Sequence, residues 1–462
     1  MTDIEVNNNQ AIAEDALDDT SRKLATVSTI RSVLPVPDSD RLDVVTLTTN
    51  GWSIVMGRNE TKPGDRIVFF EIDSFLPKED RYAILEGRCN KTLKGKEGYR
   101  IKTIKLRGQV SQGFAMPLSS FKEIPQDAED ATDVTKELNV QLWLLPVQGG
   151  GYNMGRPLGS IPHFVQKTDQ PRLQSLKQSE IFDLFKYDFE VTEKLDGTSA
   201  SFYCFSDVVS MSADETNEYA NYRFGVCSRN LEIKESGIET IEYKRQLDPD
   251  EEALVSDWLD EQGNRFRNET KQVELQSIYW DMAKKYHIRE RLLAYCLANH
   301  RLLAIQGEIC GVGIQKNPCK LPDVQFFVFD IFDIATQRYL AASQRNAIIA
   351  EMNKIHSDDN PIQQVPFVGW QTIAPDSNQI SLAAQTQSEE WRSRNTAEQQ
   401  DRGAWQMFIE AVAGLVLKDL ILQADGQGHF AKTREGLVFK SLQNPMVSFK
   451  VISNNYLLKN EE

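Results

Sequence analysis

The stretch Glu190 to Phe205, EVTEKLDGTSASFYCF, decides how the rest of the chain is read. Polar and apolar residues alternate on both sides of Asp196-Gly197, the period of two expected of half-buried strands. An Asp-Gly pair between two such runs is a favoured two-residue hairpin turn. On that reading Lys194 is a solvated lysine on a surface hairpin. The alternative is chemical. A lysine at a strand end, two residues from an aspartate, spells K-x-D-G (Lys194, Leu195, Asp196, Gly197), and a lysine amine that has lost its proton is a nucleophile. The rest of the chain separates the two readings.

The 462 residues, 40% of them apolar, suffice for sizeable cores in two or three domains. No apolar run reaches the 18 or so residues needed to span a membrane. Residues 1–19 hold six acids and no base, which excludes a secretory or mitochondrial leader, and residues 1–22 are expected to form a disordered acidic tail. The six cysteines (89, 204, 227, 296, 310 and 319) show no C-x-x-C pairing. They read as reduced thiols of a cytoplasmic protein. The five histidines are scattered, which argues against zinc.

A net charge of −15 argues against a nucleic-acid partner until its distribution is considered. Residues 1–19, 121–138 and 235–261 carry −18 between them and leave +3 for the remainder. From Arg88 to Arg107 there are eight Lys or Arg against one acid, Glu97. Such a strip is either a solvated face or a surface for a polyphosphate, with Lys91, Lys94, Lys102, Lys105 and Arg107 as the candidate phosphate contacts.

Residues 23–120 read as several short strands separated by turns, the pattern of a small barrel or sandwich. Residues 121–160, acidic and then Gly-rich, read as a linker. A larger unit is expected over 161–462. It opens with a short helix at Lys167–Leu176 and the hairpin around Lys194, and it contains an amphipathic helix at Trp405–Leu422. Two polar segments, about 235–300 and 375–403, read as helical insertions or surface elaborations. Strands at EGLVFKS and MVSFKVIS close the chain.

Other stretches share the chemistry of a triphosphate site: Gly307-Glu308 in IQGEIC, Phe329-Asp330 in QFFVFDIFD, and Glu435, Lys440 and Lys450 near the C-terminus. Each has a plain reading. Phe329 in an apolar strand suits a core, and EGLVFK suits an edge strand with charged ends. The plain readings leave their joint occurrence in this order unexplained.

In that order the chain resembles the covalent nucleotidyltransferase superfamily of polynucleotide ligases and capping enzymes. Lys194-Leu195-Asp196-Gly197 resembles its motif I. CSRN resembles the next motif, which implies Arg229 beside the nucleotide phosphate. Gly307-Glu308 implies Glu308 on the ribose, FVFDI implies Phe329 stacked on the base, EGLVFK supplies Glu435 and Lys440, and SFK implies Lys450 at the α-phosphate. EICGVGIQKNP and VFDIFD look most like RNA ligases that seal nicks in duplexes, in which Glu193 reaches the adenine amino group. The resemblance spans about residues 160–456.

GWSIVMGRNETKPGDRIVFFEIDSFLP, followed by YRIKTIKLRGQVSQGFAMPL, resembles the OB-type module that precedes the catalytic domain in one bacterial branch of these ligases. Only 12 residues follow Lys450, too few for the C-terminal OB domain of DNA ligases. The expected fold is therefore α+β: an N-terminal OB-like β-barrel over 23–120, then a nucleotidyltransferase domain of antiparallel sheets flanked by helices.

The chemistry implied is attack of Lys194 on ATP, with Mg²⁺ or Mn²⁺ as cofactor. An ordinary lysine has a pKa near 10.4, so a nucleophilic one needs burial and neighbouring cations. Arg229, Lys440 and Lys450 would also stabilise charge on the α-phosphate as pyrophosphate leaves. Glu435 and Asp196 are suitably hard oxygen donors for the metal, and Gly197 belongs to the same nucleotide-binding set. The implied partner is RNA, or an RNA/DNA duplex, with a nick, handled by a monomer away from membranes. Two rivals remain open. A capping-type guanylyltransferase would prefer GTP, and a non-catalytic OB-fold RNA-binding protein would form no covalent nucleotide adduct.

Overall fold

The computed structural model describes residues 22–37, 39–143, 154–206, 222–247, 251, 254, 256–259, 264–357, 360–393 and 404–460. Apart from Arg22, the acidic tail lies outside the described residues. The chain divides into two compact units. One comprises Thr20–Gln148, Asp169–Leu195 and Val365–Glu462 and is called here the Lys194 unit. The described part of the other, the Glu308 unit, lies in Gly149–Thr168 and Asp196–Gln364.

In the Lys194 unit the N-terminal strands form a five-stranded antiparallel sheet ordered Phe114–Pro117, Arg66–Phe70, Ala25–Pro35, Leu42–Leu47, Ser53–Gly57. A four-stranded sheet ordered Gln141–Leu142, Ser74–Pro77, Lys96–Arg100, Asn90–Leu93 continues it. The run RIVFF at 66–70 is apolar without alternation because both of its faces are buried. Val68 and Phe70 enter a core with Leu24, Tyr82 and Tyr99, while Ile67 and Phe69 enter another with Trp52 and Ile54. That second core also takes Ile452 and Leu457 from the end of the chain. The segment read as a linker supplies Phe121, Ile124, Val134, Leu138 and Val140 to the first core. It is fastened there by Val27 N–H donating to Thr132 O at 3.0 Å.

The same unit holds a further antiparallel sheet, ordered Phe367–Thr372, Asp188–Lys194, Gly436–Ser441, Ser448–Ile452. One face packs Phe189, Val191, Leu437, Phe439, Phe449 and Val451 against Val416, Leu417 and Leu420 of the helix Ala404–Ala424, which covers the expected helix at 405–422. Alternation sends Glu190, Thr192, Lys194, Lys440 and Lys450 to the opposite face.

The Glu308 unit is built on one sheet ordered Pro157–Ser160, Leu231–Ile233, Arg223–Cys227, Thr198–Phe205, Leu303–Cys310, Gln325–Asp333, Arg338–Tyr339. The helices Ile278–Lys285, Ile288–Asn299 and Ala342–Met352 bury Tyr279, Leu292, Ile349 and Met352 against it.

Three local expectations are corrected. The strands flanking Asp196-Gly197 exist, as Asp188–Lys194 and Thr198–Phe205, but they do not pair with each other. The first pairs with Phe367–Thr372 and Gly436–Ser441, the second with Arg223–Cys227 and Leu303–Cys310. Asp196-Gly197 is therefore not a hairpin turn but the place where the chain leaves one unit for the other. The helix expected at 167–176 shrinks to a 3₁₀ turn at Leu173–Ser175, because Pro171 disfavours helix at Gln170. The first part of the 235–300 segment is a three-stranded sheet, with Gly237–Gln246 and Trp258–Leu259 on either side of Arg265–Leu275, and only its last part is helical. The segment at 375–403 is helical over Ser377–Ser393, and its last ten residues lie outside the described set. No disulfide joins the six cysteines, and no described helix is long and apolar enough to cross a membrane.

Candidate active site

In the Lys194 unit the register fixes the chemistry. Lys194 lies opposite Gly436, Glu190 opposite Lys440, and Lys450 opposite Val438. Cross-strand partners share a face, so Lys194, Lys440 and Lys450 occupy the same polar face. Lys194 Nζ is 2.7 Å from Glu435 Oε1, with 27% of the lysine and 15% of the glutamate side chain exposed. The Glu435 carbonyl accepts the Ser453 N–H at 2.8 Å, which anchors the residue at the mouth of its strand.

Lys450 Nζ donates to Asp169 Oδ1 at 2.9 Å, and Lys450 N–H donates to Pro171 O at 2.9 Å. Burial brings the Lys450 pKa down to about 8, helped by the positive charges of Lys194 and Arg172 and opposed by Asp169. Lys440 is buried, and its pKa falls to about 7 against the pull of Glu190. Glu193 points to the other side of the strand and is buried too. Its Oε2 accepts the His429 N–H at 2.7 Å. Burial pushes its carboxyl above the usual range, opposed by that hydrogen bond and by the Arg434 charge.

The Glu308 unit carries the remaining candidates. Gly197 packs so closely that a Cβ there would lie 2.3 Å from Ile309 O and 3.0 Å from Glu308 Cγ. The glycine of K-x-D-G is thus required by close approach rather than by a turn. Thr198 and Ser199, which follow it, are held through Tyr279 Oη at 2.9 Å and Thr168 Oγ1 at 2.9 Å. Glu308, half-buried, lies between Ser199 and Phe327 in the sheet. The register slips where Gln306 and Gly307 face Asp330 and Val328, which leaves Phe329 as the extra residue of a β-bulge. A bulge re-aims the side chain it carries. Phe329 is half-buried where Phe327 and Val328 are fully buried. Arg345 fixes its backbone, Nη1 donating to Phe329 O at 3.3 Å. Arg229 is exposed in the turn that joins Arg223–Cys227 to Leu231–Ile233.

The structure thus brings Lys194, Lys440 and Lys450 onto one face of one sheet, with Glu435, just before the strand Gly436–Ser441, paired to Lys194. Glu193 stands on the opposite side of that sheet. Asp196, Gly197 and Glu308 lie together in the other unit, with Phe329 on the next strand. Of the basic strip, Lys91 and Lys94 are exposed on the hairpin of Asn90–Leu93 and Lys96–Arg100, and Lys105 and Arg107 on the hairpin of Thr103–Leu106 and Gln109–Gln112. Lys102, between the hairpins, is half-buried.

Sequence reading missed Asp169 and Glu190, the carboxylates beside Lys450 and Lys440. Glu190 was legible, since E-x-T-x-K places it on the Lys194 face by alternation alone. Asp169 was not, because its lysine lies at the far end of the chain.

A family model described as RNA ligase matches residues 188–452, and one described as an OB-fold domain matches residues 24–118. No curated protein matches the chain. Solved structures of the Naegleria gruberi RNA ligase do. A mutant of that protein with ATP and Mn is 28% identical, covering 96% of this chain and 100% of its own, with a TM-score of 0.68. A mutant with AMP and Mn is 29% identical, covering 95% and 99%, with a TM-score of 0.65. An apo mutant is 29% identical, covering 95% and 98%, with a TM-score of 0.66. With more than half of the residues matched by the ligase model and the barrel matched ahead of them, this chain belongs to the RNA ligase family, as a polynucleotide ligase with an N-terminal OB-fold domain.

Proposed function

We propose that this ligase uses ATP to seal 3′-OH/5′-phosphate breaks in duplex RNA, or in RNA paired with DNA, through a lysyl-AMP intermediate. The observation that carries the reading is the Lys194–Glu435 pair on a face shared with Lys440 and Lys450. In the first step the Lys194 amine, having lost a proton, forms a P–N bond to the α-phosphorus while the bond to pyrophosphate breaks. A 5′-phosphate oxygen then takes the AMP and frees the lysine. Attack by the 3′-OH forms the phosphodiester and releases AMP.

Lys440 and Lys450 supply positive charge where the α-phosphate becomes more negative, in a setting where water does not screen it. Glu308 is the acceptor for ribose hydroxyls, Phe329 the ring for the base and Glu193 the acceptor for the adenine amino group. Asp196 and Gly197 shape the connecting segment beside the nucleotide, and Arg229 is the further phosphate contact. Glu435 suits a divalent ion: it is a hard carboxylate, partly exposed and already engaged with a cation. Among the described residues no three His, Cys, Asp or Glu cluster as a metal cage. That suits an ion held through one carboxylate, waters and substrate phosphates. Such an ion, when bound, supplies charge at the reacting phosphate. The strip Lys91, Lys94, Lys102, Lys105 and Arg107 is the surface for the duplex backbone.

The test is incubation with labelled ATP or GTP and Mg²⁺ or Mn²⁺, then with duplexes nicked beside ribose or deoxyribose. The expected result is a covalent AMP adduct, absent in Lys194→Ala, that is passed to the nick. Transfer of GMP in preference to AMP points to a capping-type enzyme, and wild-type adduct levels in Lys194→Ala would sink the assignment.

A further inference from the structure

The edge strand Phe367–Thr372 exposes two large rings, Phe367 at 54% and Trp370 at 59%, with centroids 4.9 Å apart. They are three positions apart, and on a regular strand they would face opposite ways. The register explains why they do not. Trp370 lies opposite Glu190 and Phe367 opposite Thr192, with Val368 taken up by a bulge. Both rings therefore stand on the face that carries Lys194, Lys440 and Lys450. Two rows run across the sheet: Trp370, Glu190, Lys440, and Phe367, Thr192, Val438, Lys450. Phe367 is one strand over and two residues along from Lys194, a diagonal of roughly 7–8 Å.

We infer that Phe367 and Trp370 form a stacking platform for a nucleobase flanking the break in the polynucleotide substrate. The inference rests on the ligase reading above. A ring pair of this size left in water is costly unless something covers it, and nucleobases are flat ligands that stack on aromatic side chains without regard to sequence. Charge favours the same occupant, because the face behind the rings carries three lysines suited to a polyanion. The diagonal brings the platform within one nucleotide of the amine that would hold the AMP. The bulge at Val368 argues against the other use of an exposed edge, addition of a partner strand, because a bulge breaks the ladder such a strand would follow.

The test uses the full chain and a labelled, 5′-phosphorylated nicked RNA duplex, with binding followed by anisotropy in the absence of ATP. Phe367→Ala with Trp370→Ala is expected to weaken binding about 5- to 100-fold, the loss expected from removing one stacked base. Phe367→Tyr with Trp370→Phe, which keeps both rings, is expected to bind within about 3-fold of wild type. Lysyl-AMP formation in each preparation reports on the fold around Lys194. Wild-type binding by the alanine variant overturns the inference, as does a ring-preserving variant as weak as the alanine one. A change in the oligomeric state of the alanine variant with RNA binding intact gives the patch to a protein partner and overturns it too. Because binding is read without ATP, a wild-type protein that forms no lysyl-AMP refutes the ligase reading while this measurement still decides the platform.

Discussion

Lys440 and Lys450 hold their protons loosely, and this has a measurable consequence. Their pKa values of about 7 and about 8 lie below the 10.4 or so of an unfolded lysine. The unfolded chain thus binds more protons between those limits, and the cost of burying the two charges is relieved as pH rises through that window. A nucleotide phosphate beside them works the other way and raises their pKa. Nucleotide binding at pH 8 should therefore take up protons, seen as a binding enthalpy that changes with the ionisation enthalpy of the buffer. Affinity should fall from pH 7 to pH 9, and Lys450→Met should reduce both effects. Buffer-independent enthalpy in the wild type would contradict this. Glu435→Ala and Lys450→Ala should each slow lysyl-AMP formation about 10²-fold or more, the scale of losing one preorganised charge contact. Rapid-quench measurement of the adduct checks this, with the melting temperature as control.

At the scale of elements, the bulge at Phe329 depends on Gly307. A Cβ at Gly307 would lie 2.4 Å from Phe327 O and 2.5 Å from the Phe326 ring. Gly307→Ala should force the strands apart and cost about 1–3 kcal/mol, the range for an overpacked core. Denaturant unfolding measures that cost, and a KM for ATP raised more than the stability loss explains would show the ring displaced. This bulge also marks the limit of what was legible. The apolar run QFFVFDIFD and the alternation in EVTEKLDGTSASFYCF identified strands, because both patterns are local. Their partners lie far along the chain, and register leaves no local trace, so Asp196-Gly197 was read as a hairpin that does not form. The strands Gly237–Gln246 and Arg265–Leu275, in a segment read as a helical insertion or a surface elaboration, were missed for a related reason. They place charges on both faces, as in Glu239, Lys244 and Arg245, and so lack the alternation that marks a half-buried strand. The candidate site residues could be named from sequence because each belongs to a short motif, while Asp169 and the aromatic pair at 367 and 370 belong to none.

For the whole molecule, the barrel is not a detachable clamp. Asp73, held at a positive φ of 68°, gathers Arg22, Arg100 and Arg172 within 3.2–3.5 Å. Arg172 belongs to the segment that carries Asp169 to Lys450, so a barrel residue helps set the position of that lysine. Burial works to raise the Asp73 pKa, and the guanidinium groups of Arg172, Arg22 and Arg100 overcome it and hold the carboxyl below its usual range. This stability is present above the unfolded aspartate pKa, near 3.9, and is lost as pH falls through the lower folded value. Asp73→Asn should lower the melting temperature at pH 7 and flatten its decline in acid. Removing residues 1–150 would also strip the partners of Ile452 and Leu457 and break the contact of Gly51 N–H with Gln174 O at 2.8 Å. Such a fragment should be unstable, so its failure to react would say little about RNA. Replacing Lys94, Lys102 and Lys105 together is the cleaner test of the strip. Lysyl-AMP should still form, while duplex binding weakens and its salt dependence flattens.

The strand that carries Lys194 is completed only by Gly436–Ser441 and Ser448–Ile452, and every residue of the Glu308 unit is translated before them. During synthesis the proposed nucleophile therefore waits for its own inner neighbour. Until that strand emerges, Glu435, Lys440 and Lys450 do not yet exist beside Lys194, and the face that would receive ATP is half made. On the ligase reading proposed above, a nascent or truncated chain carries Lys194 without Glu435, Lys440 and Lys450, so competence arrives only with the last strands.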